Sequence, residues 1–583
     1  MPADSKLAPN RIEREDRPDG SIVLHNRAGL PDPLPDILDR FDEWVQRDPD
    51  ATFIGARADD KIQTVSYGEI DRMSDAVAND LAARGLGKGD RIAAVAGAGR
   101  LHAALKLACL KAGTIHVPLS PLLLSSDHGR ARLGDLLGVA EPRLTVTEDG
   151  TLPDGLTAAD VTSLDALDGV RDGHFVRPAA APGDPAAIYF TSGSTGDPKG
   201  VSVTRRMIAS CQAAYGIHWP FLAAHRPVLI DWLPWHHVFG GLDNFHKMIW
   251  YGGAYHVETP PGPDSMNRFA ARIRDTRPTI HINVPYGIDL LLDHLDHDPE
   301  TRAALFERLD LIFFAGAGMG AATWRRLQDA VAAGPHGPGG PPLVLSGYGA
   351  TEAGSTICLG HEPAGHTDEI GLPLPGHSLR LAPVEGAWEV RFRGPNVSPG
   401  YHRPDGLFAL PLDDAGYLRT GDLARAAHDG APERGLRFDG RLAEDFKLTT
   451  GTRVKVGALR HALIAACAPD LQDVAIAGAG RDRLAVILFH TATAGGDDRD
   501  ALHARATDAL TAHNAAMPGG STAVFRAAFS DTPPDRAAGE INDKGHLVQK
   551  TCLANRAELV ERLYRDPPDA DIICPEMPDT RIA

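Results

Sequence analysis

The sequence predicts an α/β protein with a large N-terminal domain of α/β layers and a small C-terminal α+β domain. Three observations carry this. Short apolar runs bounded by glycine or proline alternate with amphipathic stripes of helical period, the pattern of strands joined by helices in largely parallel sheets. Past about residue 440 the order changes to helix, strand pair, helix. The chain's 583 residues exceed what a single hydrophobic core organises.

In order along the chain, the first twenty residues are polar and charged, and a loose segment is expected over residues 1–30. Ile37, Leu38, Phe41, Trp44 and Val45 fall on one helical stripe. Ile70, Met73, Val77 and Leu81 form a second, closed by Gly85. Arg91–Ala98 is an apolar run between glycines, hence a buried strand, and a helix over Leu101–Lys111 follows. Ala187–Phe190, Pro227–Leu233, Leu309–Ala315 and Leu343–Ser346 are further strand candidates. Ala179–Pro185 and Ala333–Pro342 read as surface connections. The large domain is placed at 31–440 and the small one at 441–566. In the latter, Val454–Cys467 and Asn555–Tyr564 read as helices, and Asp473–Ala477 with Leu484–Phe489 as a strand pair. Residues 567–583 are rich in proline and are expected to trail.

Composition excludes several classes. The net charge of −18 argues against a non-specific nucleic-acid binder, and lysines and arginines are dispersed. No run of 18 apolar residues exists and the first residues lack a signal-peptide core, so no membrane association and a cytoplasmic address are expected. The six cysteines are scattered, with no C-x-x-C pair to hold zinc. No G-x-S-x-G elbow is present, so a serine hydrolase has no anchor.

The most informative segment is Tyr189–Val201, YFTSGSTGDPKGV. An apolar run delivers Thr191, Ser192, Gly193, Ser194, Thr195 and Gly196, with Lys199 just beyond. Glycines let backbone N–H groups approach an anion closely, hydroxyls add donors, and the lysine adds a full positive charge. These residue types suit a polyphosphate. It is not a Walker A loop, because Gly200 follows Lys199 where Ser or Thr is required.

YFTSGSTGDPKGV resembles the phosphate loop of the adenylate-forming superfamily, which holds acyl-CoA synthetases, luciferases and peptide-synthetase adenylation domains. Four more segments resemble that family's motifs: LPWHHVFGG (Leu233–Gly241), YGATE (Tyr348–Glu352), RTGDL (Arg419–Leu423) and FDGRLAEDFKLTTG (Phe438–Gly451). Within the superfamily, LPWHHVFGG, GPNVSPGY (Gly394–Tyr401), GRLAEDFKLTTGTRV and GEINDKG (Gly539–Gly545) are most similar to feruloyl-CoA synthetases. The resemblance implies a ligase using ATP, Mg²⁺ and CoA. It would activate an aromatic acid of hydroxycinnamate type through an acyl-adenylate. CoA would then form the thioester and release AMP.

Site roles follow from the resemblance alone. Thr191–Gly196 and Lys199 would hold the phosphates, Thr351 the α-phosphate and Glu352 the Mg²⁺. Tyr348, with Gly349 beside it, would meet adenine, and Asp422 and Arg441 the ribose. His237, Phe239, Gly240, Ala315, Gly316 and Gly318 would line the acyl pocket. Lys447 and Gly451 would border the CoA channel. His237, Thr351 and Lys544 would form the catalytic group. The small domain would be mobile between the two half-reactions.

Two positions depart from the family pattern. The family's catalytic glycine–lysine pair is here Gly539–Glu540. A glutamate cannot neutralise a polyphosphate. The nearest lysine, Lys544, is the expected replacement. In the hinge, Ala443 stands where an acidic residue or lysine is common. Two alternatives stay open: an adenylating enzyme that passes its acyl group to an amine or a carrier-protein thiol, and a catalytically inactive nucleotide-binding homologue. Either a monomer or a homodimer fits the sequence.

Overall fold

The computed structural model describes the chain except residues 1–5, 59–60, 157–159, 168–172, 193–197, 260–264, 338, 385, 492–498, 536–537, 542–546 and 578–583. It divides into two compact units. The first comprises Met1–Pro383, Val390–Thr420 and Ala426–Arg437, and the second Val384–Glu389, Gly421–Arg425 and Phe438–Ala583. The single boundary expected at 440/441 is therefore replaced by a start at Phe438 and two earlier visits of the chain to the second unit.

The large unit contains two sheets with parallel centres. In one, the spatial order is Thr52–Ala58, Ala254–Val257, Val228–Asp231, Ile280–Asn283, Leu311–Ala315 and Leu343–Tyr348, all parallel. Strands buried on both faces must be apolar throughout, which is why Leu311–Ala315 reads LIFFA. Its two faces feed separate clusters: Leu311 and Phe313 pack with Trp219 and Phe245, while Ile312 and Phe314 pack with Leu291 and Leu327. In the other sheet, Arg91–Val95, Ile115–Leu119, Leu144–Thr147 and Pro185–Ser192 run parallel. Pro198–Thr204 then turns back antiparallel on the last of these. The helices Ile37–Arg47 and Tyr67–Ala83 start at capping boxes on Asp36 and Ser66.

The small unit is α+β. Leu471–Ala477 and Leu484–His490 pair antiparallel, and Val524–Phe529 joins the second in parallel. Leu459, Leu463, Leu502 and Leu510 cover one face from the helices Val456–Ala466 and Arg499–Ala516. Cys552 and Leu563 cover the other from Gln549–Asn555 and Ala557–Tyr564.

Two expectations are corrected. Within the expected loose segment 1–30, the described residues are ordered: Ile12–Asp16 and Ile22–Asn26 form a hairpin, and Ile22, Val23 and Leu24 are buried. The charged strand is an edge, where alternating charge is compatible with pairing. Nor do the described residues of the tail, 567–577, trail. Ile572 and Ile573 are buried, and Ile573 exchanges backbone hydrogen bonds of 2.8 and 2.9 Å with Ala527. Apolar burial outweighs the prolines on either side. Among the described residues, no helix is long and apolar enough to cross a membrane.

Candidate active site

In the large unit, the strand pair around the glycine-rich bend is in register as Lys199↔Thr191, Gly200↔Phe190 and Val201↔Tyr189. Thr191 and Lys199 are half-buried. Gly193, Ser194, Thr195 and Gly196 lie outside the described residues, as does the Ser192 side chain. On the other edge of Pro198–Thr204, Tyr401–Arg403 pairs antiparallel, with Val201 opposite Tyr401.

This pairing brings three motifs together. The Lys199 ammonium lies 5.4 Å from the Tyr401 ring centre. The Tyr401 hydroxyl donates to a Glu352 carboxylate oxygen at 2.9 Å. Burial and the Glu352 charge both push the Tyr401 phenol up, so it remains a donor. A cation, an aromatic hydroxyl and a carboxylate thus form one contiguous edge.

Glu352 sits on the single turn Thr351–Ala353, directly after the strand Leu343–Tyr348. Several contacts fix that turn. A Cβ on residue 349 would overlap the Ser355 carbonyl oxygen, so Gly349 is needed for close approach. The fully buried Asn396 amide donates to the carbonyls of Ala353 at 2.8 Å and Thr356 at 2.9 Å. The Ser398 N–H donates to the Glu352 carbonyl at 2.8 Å, and its hydroxyl donates to the Ser202 carbonyl at 2.7 Å. Asn396, Ser398 and Tyr401 all come from the segment GPNVSPGY. It was legible as a resemblance, but none of its residues was read as part of the site. Tyr348 and Thr351 are half-buried beside Glu352.

The segment Leu233–Gly241 folds back on itself. A Cβ on residue 240 would lie 2.6 Å from the Leu233 carbonyl oxygen, and one on residue 241 would overlap that of Trp235. Val238–Asn244 winds as a π-helix, a form that often marks functional sites. It presents Phe239, whose ring meets Phe313 edge-on at 6.2 Å. His237 precedes it at the helix start. Ala315 ends the strand Leu311–Ala315 that carries Phe313, and Gly316 and Gly318 are exposed just beyond. Behind this segment, Lys106 is fully buried. Its ammonium donates to the Gly241 carbonyl at 2.6 Å and approaches the Tyr189 hydroxyl at 3.4 Å. Burial drives Lys106 down to about 7. No motif marks this residue, and its burial shows only in the fold.

In the small unit, Arg441 Nε meets Asp422 Oδ1 at 3.0 Å, so the two expected ribose ligands are neighbours. Lys447 and Gly451 are exposed on one hairpin, in which Lys447 pairs with Arg453 and the Gly451 N–H donates to the Leu448 carbonyl at 2.9 Å. Lys544 lies outside the described residues. Glu540 is buried, and its carboxylate accepts from Arg556 Nη2 at 2.7 Å and from the Asp535 N–H at 2.9 Å. Burial opposes its ionisation, but Arg556 and that N–H prevail and hold Glu540 below the usual carboxylate range. The departure at 540 is thus a structural ion pair.

Residues 41–402 match the family described as AMP-binding enzyme, and residues 445–567 match the AMP-binding enzyme C-terminal domain. The chain belongs to the AMP-binding enzymes, the adenylate-forming ligases. It is 28% identical over 81% of its length to an isonitrile lipopeptide synthase of Streptomyces coeruleorubidus, of which it spans only 31%. It is 29% identical over 69% of its length to the L-proline–[L-prolyl-carrier protein] ligase of Streptomyces coelicolor, covering 79% of that protein. It is 28% identical over 73% of its length to the anthranilate–CoA ligase of Pseudomonas aeruginosa, covering 81% of that protein. The fold is that of the ATP-bound MatB of Rhodopseudomonas palustris, with TM-score 0.69 and 22% identity, covering 90% of this chain and 99% of that one.

Proposed function

We propose that the chain is an ATP-dependent aromatic acid–CoA ligase of feruloyl or related hydroxycinnamoyl type. The observation that carries this is the contiguous edge Lys199–Tyr401–Glu352, which joins the glycine-rich strand pair to the Thr351–Ala353 turn. A carboxylate oxygen of the acid attacks the α-phosphorus of ATP, the bond to pyrophosphate breaks, and an acyl-adenylate forms. The CoA thiolate then attacks the acyl carbon, and AMP leaves with the bonding electrons.

Such transfer needs positioning and charge neutralisation more than covalent help. Thr191–Gly196 and Lys199 hold the phosphates, and Thr351 donates to the α-phosphate. The Glu352 carboxylate has the oxygen donor that Mg²⁺ takes, and the metal would supply charge neutralisation there. Tyr348 and Gly349 border adenine. Asp422 accepts from the ribose hydroxyls, and Arg441, 3.0 Å from Asp422, binds the same sugar. His237, Phe239, Gly240, Ala315, Gly316 and Gly318 shape the acid side, and the Phe239–Phe313 pair offers aromatic edges to a planar acid. Lys447 and Gly451 border the CoA approach. Lys544 brings the catalytic cation.

Anthranilate–CoA ligase supports both an aromatic acid and CoA. The carrier-protein ligase supports a second reading, in which the acceptor is a carrier thiol. The test is acid-dependent ATP–pyrophosphate exchange across hydroxycinnamates, benzoates and aliphatic acids, followed by CoA-dependent AMP release. Exchange without CoA-dependent release would select the carrier reading.

A further inference from the structure

The strand Val228–Asp231 ends in a carboxylate that is almost completely buried, at 2% exposure. Asp231 Oδ1 accepts the Leu233 N–H at 2.7 Å. Its Oδ2 accepts the Asn244 amide at 2.9 Å and the Tyr255 hydroxyl at 2.7 Å. Tyr255 in turn accepts the Trp235 indole N–H at 3.1 Å, and the two rings stack 5.8 Å apart. One side chain therefore grips the first residue of the folded-back segment, the last residue of the π-helix that follows it and, through Tyr255, the ring of Trp235. Everything between those grips is the tight turn and π-helix that present His237 and Phe239.

The chemistry of these bonds suits a clamp. All three partners are donors, and an ionised carboxylate accepts from all three. Hydrogen bonds to a charged acceptor are roughly twice as strong as neutral ones. The segment also has no slack. Gly240 and Gly241 pack against the carbonyls of Leu233 and Trp235, so a shift at either end moves the middle. Phe239 meets Phe313 on the strand Leu311–Ala315, two strands along the sheet from Val228–Asp231, so the segment's position sets the gap between that ring and the sheet.

We propose that Asp231 is the positioning residue of the acyl side: its carboxylate clamps Leu233, Asn244 and Tyr255 and thereby fixes His237 and Phe239, setting which acids are accepted. This rests on the proposed function in one respect, that the segment lines the acid's pocket. Asp231 itself does not touch substrate. Asp231→Asn keeps the shape but replaces one acceptor oxygen with a donor that faces donors. Tyr255→Phe removes one grip and the partner of Trp235 while keeping the ring.

The experiment compares wild type, Asp231→Asn and Tyr255→Phe in two measurements on the full chain. In pyrophosphate exchange, Asp231→Asn is expected to raise KM for the preferred acid about tenfold to a hundredfold, the loss typical of a charged hydrogen-bond partner. KM for ATP should stay within about twofold, and the preference between ferulate and benzoate should change. Tyr255→Phe should shift the same parameters less. In hydrogen exchange, amides of residues 233–244 should lose protection in Asp231→Asn while those of the paired strands Pro185–Ser192 and Pro198–Thr204 keep theirs. An unchanged acid KM and preference overturns the proposal. So does a uniform loss toward every acid and ATP alike, the mark of general destabilisation. If wild type shows no exchange with any acid, the proposed function fails instead. The clamp is then decided by hydrogen exchange alone, and unchanged protection at 233–244 overturns it.

Discussion

Tyr401→Phe removes one oxygen from the contiguous edge and leaves everything else. The phenol donates to Glu352 at 2.9 Å, and its ring stands 5.4 Å from the Lys199 ammonium. The substitution keeps the ring, so the lysine retains its aromatic neighbour, while the carboxylate loses a neutral donor that fixes its orientation. A hydrogen bond to a charged group contributes about 1.5–3 kcal/mol, a factor of about 10 to 150. If Glu352 must be held for the first half-reaction, kcat/KM for ATP should fall by about that factor in acid-dependent pyrophosphate exchange. Tyr401→Ala should lose a further ~0.5–1 kcal/mol, because the ring facing Lys199 goes as well. Thioester formation from supplied acyl-adenylate should change less than about threefold in both variants, because pyrophosphate has already left. A Tyr401→Phe enzyme within twofold of wild type in exchange would refute the reasoning. So would equal losses in both half-reactions.

Glu540→Gln should lower the melting temperature without abolishing exchange. Arg556 keeps the Pro533 carbonyl at 3.0 Å as another acceptor, so the expected cost is about 1–3 kcal/mol, and lost activity at unchanged stability would contradict a structural pair. Lys544→Ala should sharply reduce adenylation and spare thioester formation from supplied acyl-adenylate, and equal loss of both steps would count against its role as the catalytic cation. Lys106 tests the buried face behind the acyl segment. Its folded value is depressed from 10.5 to about 7, so between those values the unfolded chain binds the proton that the fold gives up. Its contribution to stability therefore rises with pH across that window, by up to about 1.4 kcal/mol per unit. Urea unfolding from pH 7 to 9.5 should show that rise in wild type and a flatter profile in Lys106→Met, and identical slopes would contradict it.

The elements readable from the chain were those whose pattern is set by burial. The apolar runs ending at Ala315 and Ser346 became buried parallel strands, and the stripe Ile37–Leu38–Phe41 became the inner face of a helix. The misread ends have physical causes. Ile12–Asp16 is a charged edge strand, and charge pattern alone does not separate an edge strand from a loose segment. Ile572 and Ile573 are too short a run to stand out among prolines, yet the Val524–Phe529 strand leaves them a place to pack. At the site, Lys199 and Glu352 were legible because their motifs are local. Tyr401 was not read as part of the site, because its contacts depend on strand pairing across some 200 residues. Asp231 and Lys106 were missed because polar groups inside apolar runs carry no local signature, and their roles come from the partners that the fold supplies.

The most direct measurement is incorporation of labelled pyrophosphate into ATP by the folded wild-type protein, with Mg²⁺ and one candidate acid at a time. The expected result is exchange that depends on a planar aromatic acid and is lost in Lys199→Met. No exchange with any acid, from protein with an intact melting transition, would contradict adenylate formation at this site.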